Sequence, residues 1–164
     1  MSSPVSGVRA AADRVFMWGW LLFLVAGLVQ IFLAGMGVFD LNGQKLEDAS
    51  SLDPHRALGF ALGGLSIILL ILAVVARVDT RTMVVSLVVA LLAFLVQSLL
   101  AGAGKNTAFF GGLHALDGLA ILGLAGYLFG EARRRNSPDA PRRNSTDARR
   151  RNSTDARRRN STDA

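Results

Sequence analysis

The chain has 164 residues, of which 51% are hydrophobic, and it carries a formal net charge of +6. Its mean hydropathy of +0.39 is too high for a water-soluble protein of this length and indicates a membrane protein. The absence of cysteine excludes disulfides, thiolate metal sites and covalently attached c-type haem. Eleven of the eighteen basic residues lie in the last 32 positions, so the positive charge does not indicate a nucleic-acid-binding domain.

Four apolar runs are each long enough to provide the roughly 20 helical residues that cross a bilayer. They cover residues 15–38, 55–76, 82–104 and 109–130. Because the runs are continuous rather than alternating, they predict transmembrane helices and not strands. The sequence therefore predicts an all-α fold, a polytopic membrane four-helix bundle over residues 15–130. Residues 1–14 form a cytoplasmic N-terminal segment ahead of it.

Basic residues near the helix ends predict the orientation in the membrane. Seven arginines fall on one side of the bilayer, namely Arg9, Arg14, Arg77, Arg81, Arg133, Arg134 and Arg135. Three basic residues, Lys45, Arg56 and Lys105, fall on the other side. The positive-inside rule places the first group in the cytoplasm, so both termini are predicted to be cytoplasmic. The loop over residues 39–54 then faces outward.

The chain contains an internal repeat of two helices. Residues 28–37 recur as residues 95–104 with seven of ten positions identical, which pairs Gln30 with Gln97. The second and fourth helices match more weakly, and their alignment pairs His55 with His114, the only two histidines of the chain. Two tandem copies with the same orientation predict a pseudo-twofold axis along the membrane normal. Both histidines then lie near the outer face.

A matched pair of histidines at one end of a helical bundle is typical of haem b ligation. Haem iron held between two helices takes one imidazole from each side. Gly59 and Gly118 lie one turn beyond His55 and His114, where a missing side chain would give the macrocycle room. Arg56 could face the propionates. The alternative is that both histidines are interfacial and bond to headgroups or to the loop.

The span Asp53-Pro54-His55-Arg56, together with His114 at the start of the fourth helix, resembles one four-helix half of haem A synthase. It is also similar to small uncharacterised four-helix bacterial membrane proteins of the same layout. The resemblance implies a haem b on the two histidines and a bacterial plasma membrane location. Haem A synthase has eight helices, often has loop cysteines, and carries a carboxylate where this chain has Leu52. Oxidation of a haem methyl group is therefore not inferred.

Three further polar residues lie within the apolar runs. Gln30 and Gln97, about two turns below the outer helix ends, could bond across the bundle or bond a cofactor or quinone. Asp117 is a carboxylate one turn into the fourth helix, three residues after His114. It could orient an imidazole, pair with Arg56, or accept a proton near a quinol.

The segment over residues 131–164 is a basic tail of repeated octads, the last two of which are identical. Its polar, charged composition cannot bury enough apolar surface to fold, so we expect it to be disordered. Clustered arginines on the cytoplasmic side predict contact with anionic lipid or an acidic partner rather than with nucleic acid.

Two functions of different class are consistent with these features. In the first, the chain is a b-type haem protein that transfers single electrons, with a quinol as a candidate reactant. In the second, it is a cofactor-free accessory or scaffold protein of a larger membrane complex. A transporter ranks third, because the four helices offer no obvious polar pathway. No catalytic residue set emerges, so the sequence alone assigns no enzyme activity.

Overall fold

The structure, a computed structural model, describes residues 4–45, 48–105 and 107–137. It contains four long helices, α1 (Pro4–Phe39), α2 (Asp53–Ala76), α3 (Thr80–Gly104) and α4 (Ala108–Asn136). Each helix is long and apolar enough to cross a membrane, and the described residues contain no strand. The predicted all-α four-helix membrane bundle is confirmed, and the chain is a multi-pass membrane protein. The predicted basic tail beyond residue 137 lies outside the described residues.

Two helices extend beyond the apolar runs that predicted them. α1 begins at Pro4, well before residue 15, because proline is favoured in a first turn and the following alanines are good helix formers. α4 continues to Asn136 and carries Arg133 to Arg135 in its last turn, where cations favour the helix dipole. The hydrophobic pattern therefore marks the membrane-spanning part, whereas helix propensity and end charges determine the full helix length.

The helices form a square in which each helix contacts the next one along the chain, and the fourth helix contacts the first. α1 contacts α2 and α4, and α3 contacts the same two helices. Among the described residues, neither α1 and α3 nor α2 and α4 make backbone contacts with each other. The first and second repeats therefore place α2 and α4 on opposite corners of an up-down-up-down bundle.

The best-packed part of the core lies at the end predicted to face the cytoplasm. Phe16, Trp20 and Phe23 of α1 are fully buried, with ring centroids of the Phe16–Trp20 and Trp20–Phe23 pairs 6.0 and 5.4 Å apart. Arg135 of α4 pairs with Asp13 at 3.0 Å and stacks over the Phe16 ring. These contacts fix the end of α4 against the start of α1.

The outer loop is attached to the end of α1 by a glycine contact. The Ser51 hydroxyl donates a hydrogen bond to the main-chain oxygen of Gly37 at 2.9 Å. A side chain at Gly37 would collide with Leu52, which is buried in the loop. Close approach therefore requires glycine at position 37 and holds the short 3₁₀ turn Ser50–Leu52 directly before α2.

One irregularity distinguishes α3 from α1. α3 contains a π-helical segment, Leu92–Val96, in which the main-chain N–H of Gln97 bonds to the oxygen of Leu92. The corresponding region of α1 is regular α-helix. Ala93 and Phe94 of this segment lie against Gly63 of α2, where a Cβ would meet the Phe94 ring at 3.4 Å. The wide π turn accommodates one extra residue immediately before Gln97.

Candidate histidine centre

His55 and Gln30 form a reciprocal pair of hydrogen bonds between α2 and α1. The Nδ1 atom of His55 lies 3.1 Å from the main-chain oxygen of Gln30, and Nε2 of Gln30 donates to the main-chain oxygen of His55 at 2.9 Å. His55 lies in the first turn of α2, directly after Pro54, so its position is fixed by the start of that helix. Each side chain thus bonds to the backbone of the other residue.

The second repeat contains the same arrangement. The Nδ1 atom of His114 lies 3.2 Å from the main-chain oxygen of Gln97, and Nε2 of Gln97 donates to the main-chain oxygen of His114 at 3.0 Å. Corresponding distances in the two repeats agree to 0.1 Å. The duplication seen in the sequence therefore extends to the hydrogen bonding of its polar residues.

These hydrogen bonds assign the tautomer of both histidines. A main-chain oxygen only accepts, so Nδ1 of each imidazole must carry the proton that it donates. In a neutral ring the lone pair then resides on Nε2, the atom available to bind a metal. Metal-ligating histidines in proteins usually have their second nitrogen hydrogen-bonded in this way. The main-chain oxygens of the adjacent helices therefore leave Nε2 of His55 and His114 without a proton.

The two imidazoles meet across the diagonal of the bundle. Their ring centroids are 6.2 Å apart and their planes form an angle of 70°. With a metal–nitrogen bond of about 2 Å and a ring centre about 1 Å further on, two ligands on opposite sides of one metal have centroids about 6 Å apart. The same distance also suits direct edge-to-face contact of two rings. The separation is thus compatible with one bridging metal.

The Gln30–His55 pair and the Gln97–His114 pair, both half-buried, differ in their immediate surroundings. Nε2 of Gln30 lies 3.4 Å from Nε2 of His55, and no such contact is recorded between Gln97 and His114 in the described part of the chain. Asp117 lies close to Gln97 and His114, whereas the aligned position in the first repeat is Leu58. One carboxylate oxygen of Asp117 is buried and has no hydrogen-bond partner among the described residues.

Gly59 and Gly118 have a role that the sequence analysis did not identify. A Cβ at Gly59 would lie 3.0 Å from Nε2 of Gln30, and a Cβ at Gly118 would lie 3.3 Å from Nε2 of Gln97. The glycines therefore give the glutamine amides room to reach the histidine main chain. Their spacing one turn from each histidine was visible in the sequence, but the group that fills the space was not.

Arg56 connects α2 to the outer loop. Its Nη1 atom donates to Asp53 at 2.7 Å and to the main-chain oxygen of Ala49 at 3.0 Å. The expected contact with propionates thus competes with a loop-fixing role seen in the structure. The i,i+3 spacing of Asp53 and Arg56 on a helix could have indicated this pair.

The two histidines of the centre are too few for a zinc site but enough for haem iron. The described residues contain no group of three or more His, Asp or Glu side chains that could hold a metal ion, so they offer no three-ligand zinc site. Two imidazoles suffice for haem iron, because the porphyrin supplies the other four nitrogens. At the level of the histidines, the inward-facing residues Gln30, Gln97 and Asp117 are only half-buried. The buried apolar core cluster does not include these positions.

Comparisons with known proteins give one match. No curated protein and no solved structure matches the chain. Residues 30–104 match a protein family described as a family of unknown function, DUF6220. The match covers less than half of the chain and includes Gln30, His55 and Gln97, whereas His114 lies beyond it. The chain is therefore similar, over α2, α3 and the outer end of α1, to an uncharacterised family.

Proposed function

We propose that this chain is an integral membrane b-type haem protein in which His55 and His114 are the two axial ligands. The observation that carries the proposal is the repeated hydrogen bond from Nδ1 of each histidine to a main-chain oxygen. That bond leaves Nε2 of both rings without a proton, and at His55 a metal would replace the 3.4 Å contact between Nε2 and the Gln30 amide. The 6.2 Å separation of the ring centroids is consistent with this use.

The residues present fit the cofactor in other respects. The carboxylate oxygen of Asp117 and the amide oxygen of Gln30 are buried polar atoms without a hydrogen-bond partner among the described residues, and both side chains lie close to the histidines. Haem b would supply one-electron chemistry, and the protein would tune it through ligand orientation and burial.

Single-electron transfer near the outer face of the membrane is the activity that such a centre supports. A membrane quinol is the chemical class of donor that fits an apolar bundle with a few polar groups near the interface. The likeness to one half of haem A synthase, carried by the His-Arg step of α2 and the histidine of α4, agrees with haem binding in a bacterial plasma membrane. It does not extend to haem oxidation.

An absorption spectrum tests the proposal. The full chain is expressed in haem-replete cells, purified in detergent and reduced with dithionite. We expect a Soret band and a sharp α-band typical of six-coordinate, low-spin haem b. His55→Ala and His114→Ala should each abolish this spectrum, because a ligand is lost from one side of the iron in either variant.

Two lipid-facing substitutions on the same helices serve as controls. Phe60 of α2 and Leu116 of α4 are exposed on the bundle surface, so Phe60→Ala and Leu116→Ala should retain the spectrum. Circular dichroism and gel filtration establish that all four variants are folded. A wild-type protein without a Soret band contradicts haem binding and favours the cofactor-free accessory function. Loss of the haem spectrum in only one of the two histidine variants contradicts ligation by both histidines.

A further inference from the structure

A groove follows α1 and α2 on the surface that faces the membrane, in the half of the bundle away from the histidines. It encloses about 390 Å³, which lies in the range of small-molecule sites. Its lining is apolar except at one end, where Arg14 forms the mouth. The floor is formed by Leu69, whose side chain packs on Gly19 in a space that a Cβ would occupy.

The length and depth of the groove match one leaflet of a bilayer. On α1 it extends from Arg14 to Leu22, a distance of about 12 Å at 1.5 Å per helical residue. Half of a hydrocarbon core is about 15 Å. The groove thus begins near the cytoplasmic interface and ends near the membrane centre, as a single acyl chain of the inner leaflet does. The exposed ring of Trp18 lies on its rim, close to the interface that tryptophan favours.

The charge at the mouth indicates which lipid the groove would select. The side chain of Arg14 makes no hydrogen bond or ion pair within the described part of the chain. Its guanidinium can therefore bind a phosphate, which it recognises with two parallel N–H donors. The cytoplasmic leaflet is the one that carries anionic lipids.

We propose that this groove binds an anionic phospholipid of the cytoplasmic leaflet, with one acyl chain along α1 and α2 and the phosphate on Arg14. A second copy of the chain fits the surface less well. Two copies related by an axis along the membrane normal would meet at equal depth and bring their Arg14 residues together. The lining of the groove contains no carboxylate that could offset this repulsion.

Lipid titration of the full chain tests the proposal independently of haem. Delipidated protein in detergent receives phosphatidylglycerol or phosphatidylcholine with identical acyl chains, and bound lipid is counted by native mass spectrometry. We expect wild type to prefer phosphatidylglycerol and Arg14→Gln to lower that preference about fivefold, as one basic group near a membrane surface contributes. Arg9→Gln makes the same charge change outside the groove and should keep the preference.

A matched pair of isoleucine variants tests the acyl-chain half of the site. Ile68 lines the groove and Ile71 does not, although both are exposed on α2, to 55% and 58%. Ile68→Trp should reduce binding of both lipids, whereas Ile71→Trp should bind them as wild type does. An unchanged preference in Arg14→Gln overturns the proposal. So does equal lipid binding by the two isoleucine variants, or a cross-linked dimer that Ile68→Trp abolishes.

Discussion

The imidazole of each histidine is oriented by a main-chain oxygen on the adjacent helix, and the glutamine amide returns a bond in the opposite direction. Hydrogen bonds between membrane helices are worth about 0.6 to 2 kcal/mol each. The ring bond orients the imidazole, because ring rotation would leave its N–H donor unpaired, and the amide bond holds the glutamine side chain against the histidine main chain. Polar contacts between neighbouring helices therefore organise the two histidines.

Substitution of the site glycines should reveal this organisation. We expect Gly59→Ala to lower the free energy of unfolding by about 1 kcal/mol, because its Cβ would lie 3.0 Å from Nε2 of Gln30 and displace the amide bond. Gly118→Ala should cost less, since the corresponding distance is 3.3 Å. Unfolding by SDS titration measures both values.

The repeat supplies matched controls for these variants. Gly64 and Gly123 are aligned with each other in the two repeats, and nothing lies within 4 Å of a Cβ built at either one. Gly64→Ala and Gly123→Ala should be neutral or slightly stabilising, because alanine favours the helix. If Gly59→Ala and Gly64→Ala lowered the free energy of unfolding equally, the contact with the Gln30 amide would not be the cause of the loss.

At the scale of elements, the start of α3 depends on one carboxylate between two membrane spans. Oδ1 of Asp79 accepts the main-chain N–H groups of Arg81 and Thr82 at 3.1 Å, and Oδ2 accepts the Thr82 hydroxyl at 2.5 Å. The Thr82 hydroxyl bond is the main cause that holds the pKa of Asp79 below its ordinary value of 3.8. The charged form is thus favoured in the folded state.

This lowered pKa predicts a pH-dependent helix cap. The stabilisation is complete above the unfolded pKa, near 3.8, and is lost as the pH falls through the lower folded pKa. Asp79→Asn retains an N-cap but does not titrate. The stability difference between wild type and Asp79→Asn should therefore be constant above about pH 5 and shrink as the pH falls from about 5 to about 3. Thermal unfolding of both proteins across that pH range measures the difference. Parallel plots of stability against pH would contradict the role of the Asp79 carboxylate as a titrating cap.

The π-helical segment of α3 is the element that most clearly separates the two repeats. A π-bulge is equivalent to one residue inserted into an α-helix, so its removal restores a regular helix without rotating the flanking parts. α1 has no such segment at the aligned position. The second repeat therefore accommodates one extra residue locally, and Gln97 keeps the geometry that Gln30 has in the first repeat.

Single-residue deletions test whether the π-helical segment of α3 can lose one residue, which the regular helix α1 cannot. Deleting Leu95, an exposed residue of the bulge, should leave Gln97 facing His114 and preserve both the fold and any haem spectrum. Deleting Leu28, its counterpart in α1, should rotate the helix by about 100° and separate Gln30 from His55. Circular dichroism and absorption spectra report both outcomes. A deletion at 95 as harmful as that at 28 would mean that the bulge is required for the fold.

For the whole molecule, orientation in the membrane follows from charge and can be measured directly. The chain has no cysteine, so single-cysteine variants provide specific labels. We expect Gln44→Cys in the outer loop to react with a membrane-impermeant maleimide in intact cells. Ser137→Cys, after the end of α4, should react only after permeabilisation, because the positive-inside rule places it in the cytoplasm. The reverse pattern would invert the topology.

The sequence predicted the architecture well, for reasons that are physical. Apolar runs of bilayer length determine the number of spans, so the four-helix bundle could be predicted from them. The contact between Gly59 and Gln30, and the loop contact of Arg56, could not be predicted. They depend on the rotation of each helix about its axis, which packing determines and hydrophobicity does not. The π-helical segment has no compositional marker at all.

The reciprocal hydrogen bonds also bear on how the molecule is held together. Each histidine is oriented by the glutamine of its own repeat, so one helix pair contains everything needed to present one imidazole. Under the proposed function, such a pair would be half of a binding site and would supply one of the two ligands. A ligand on both rings would act as a cross-link between two otherwise self-sufficient halves. Two copies of a single helix pair, associated as a dimer, would present the same site.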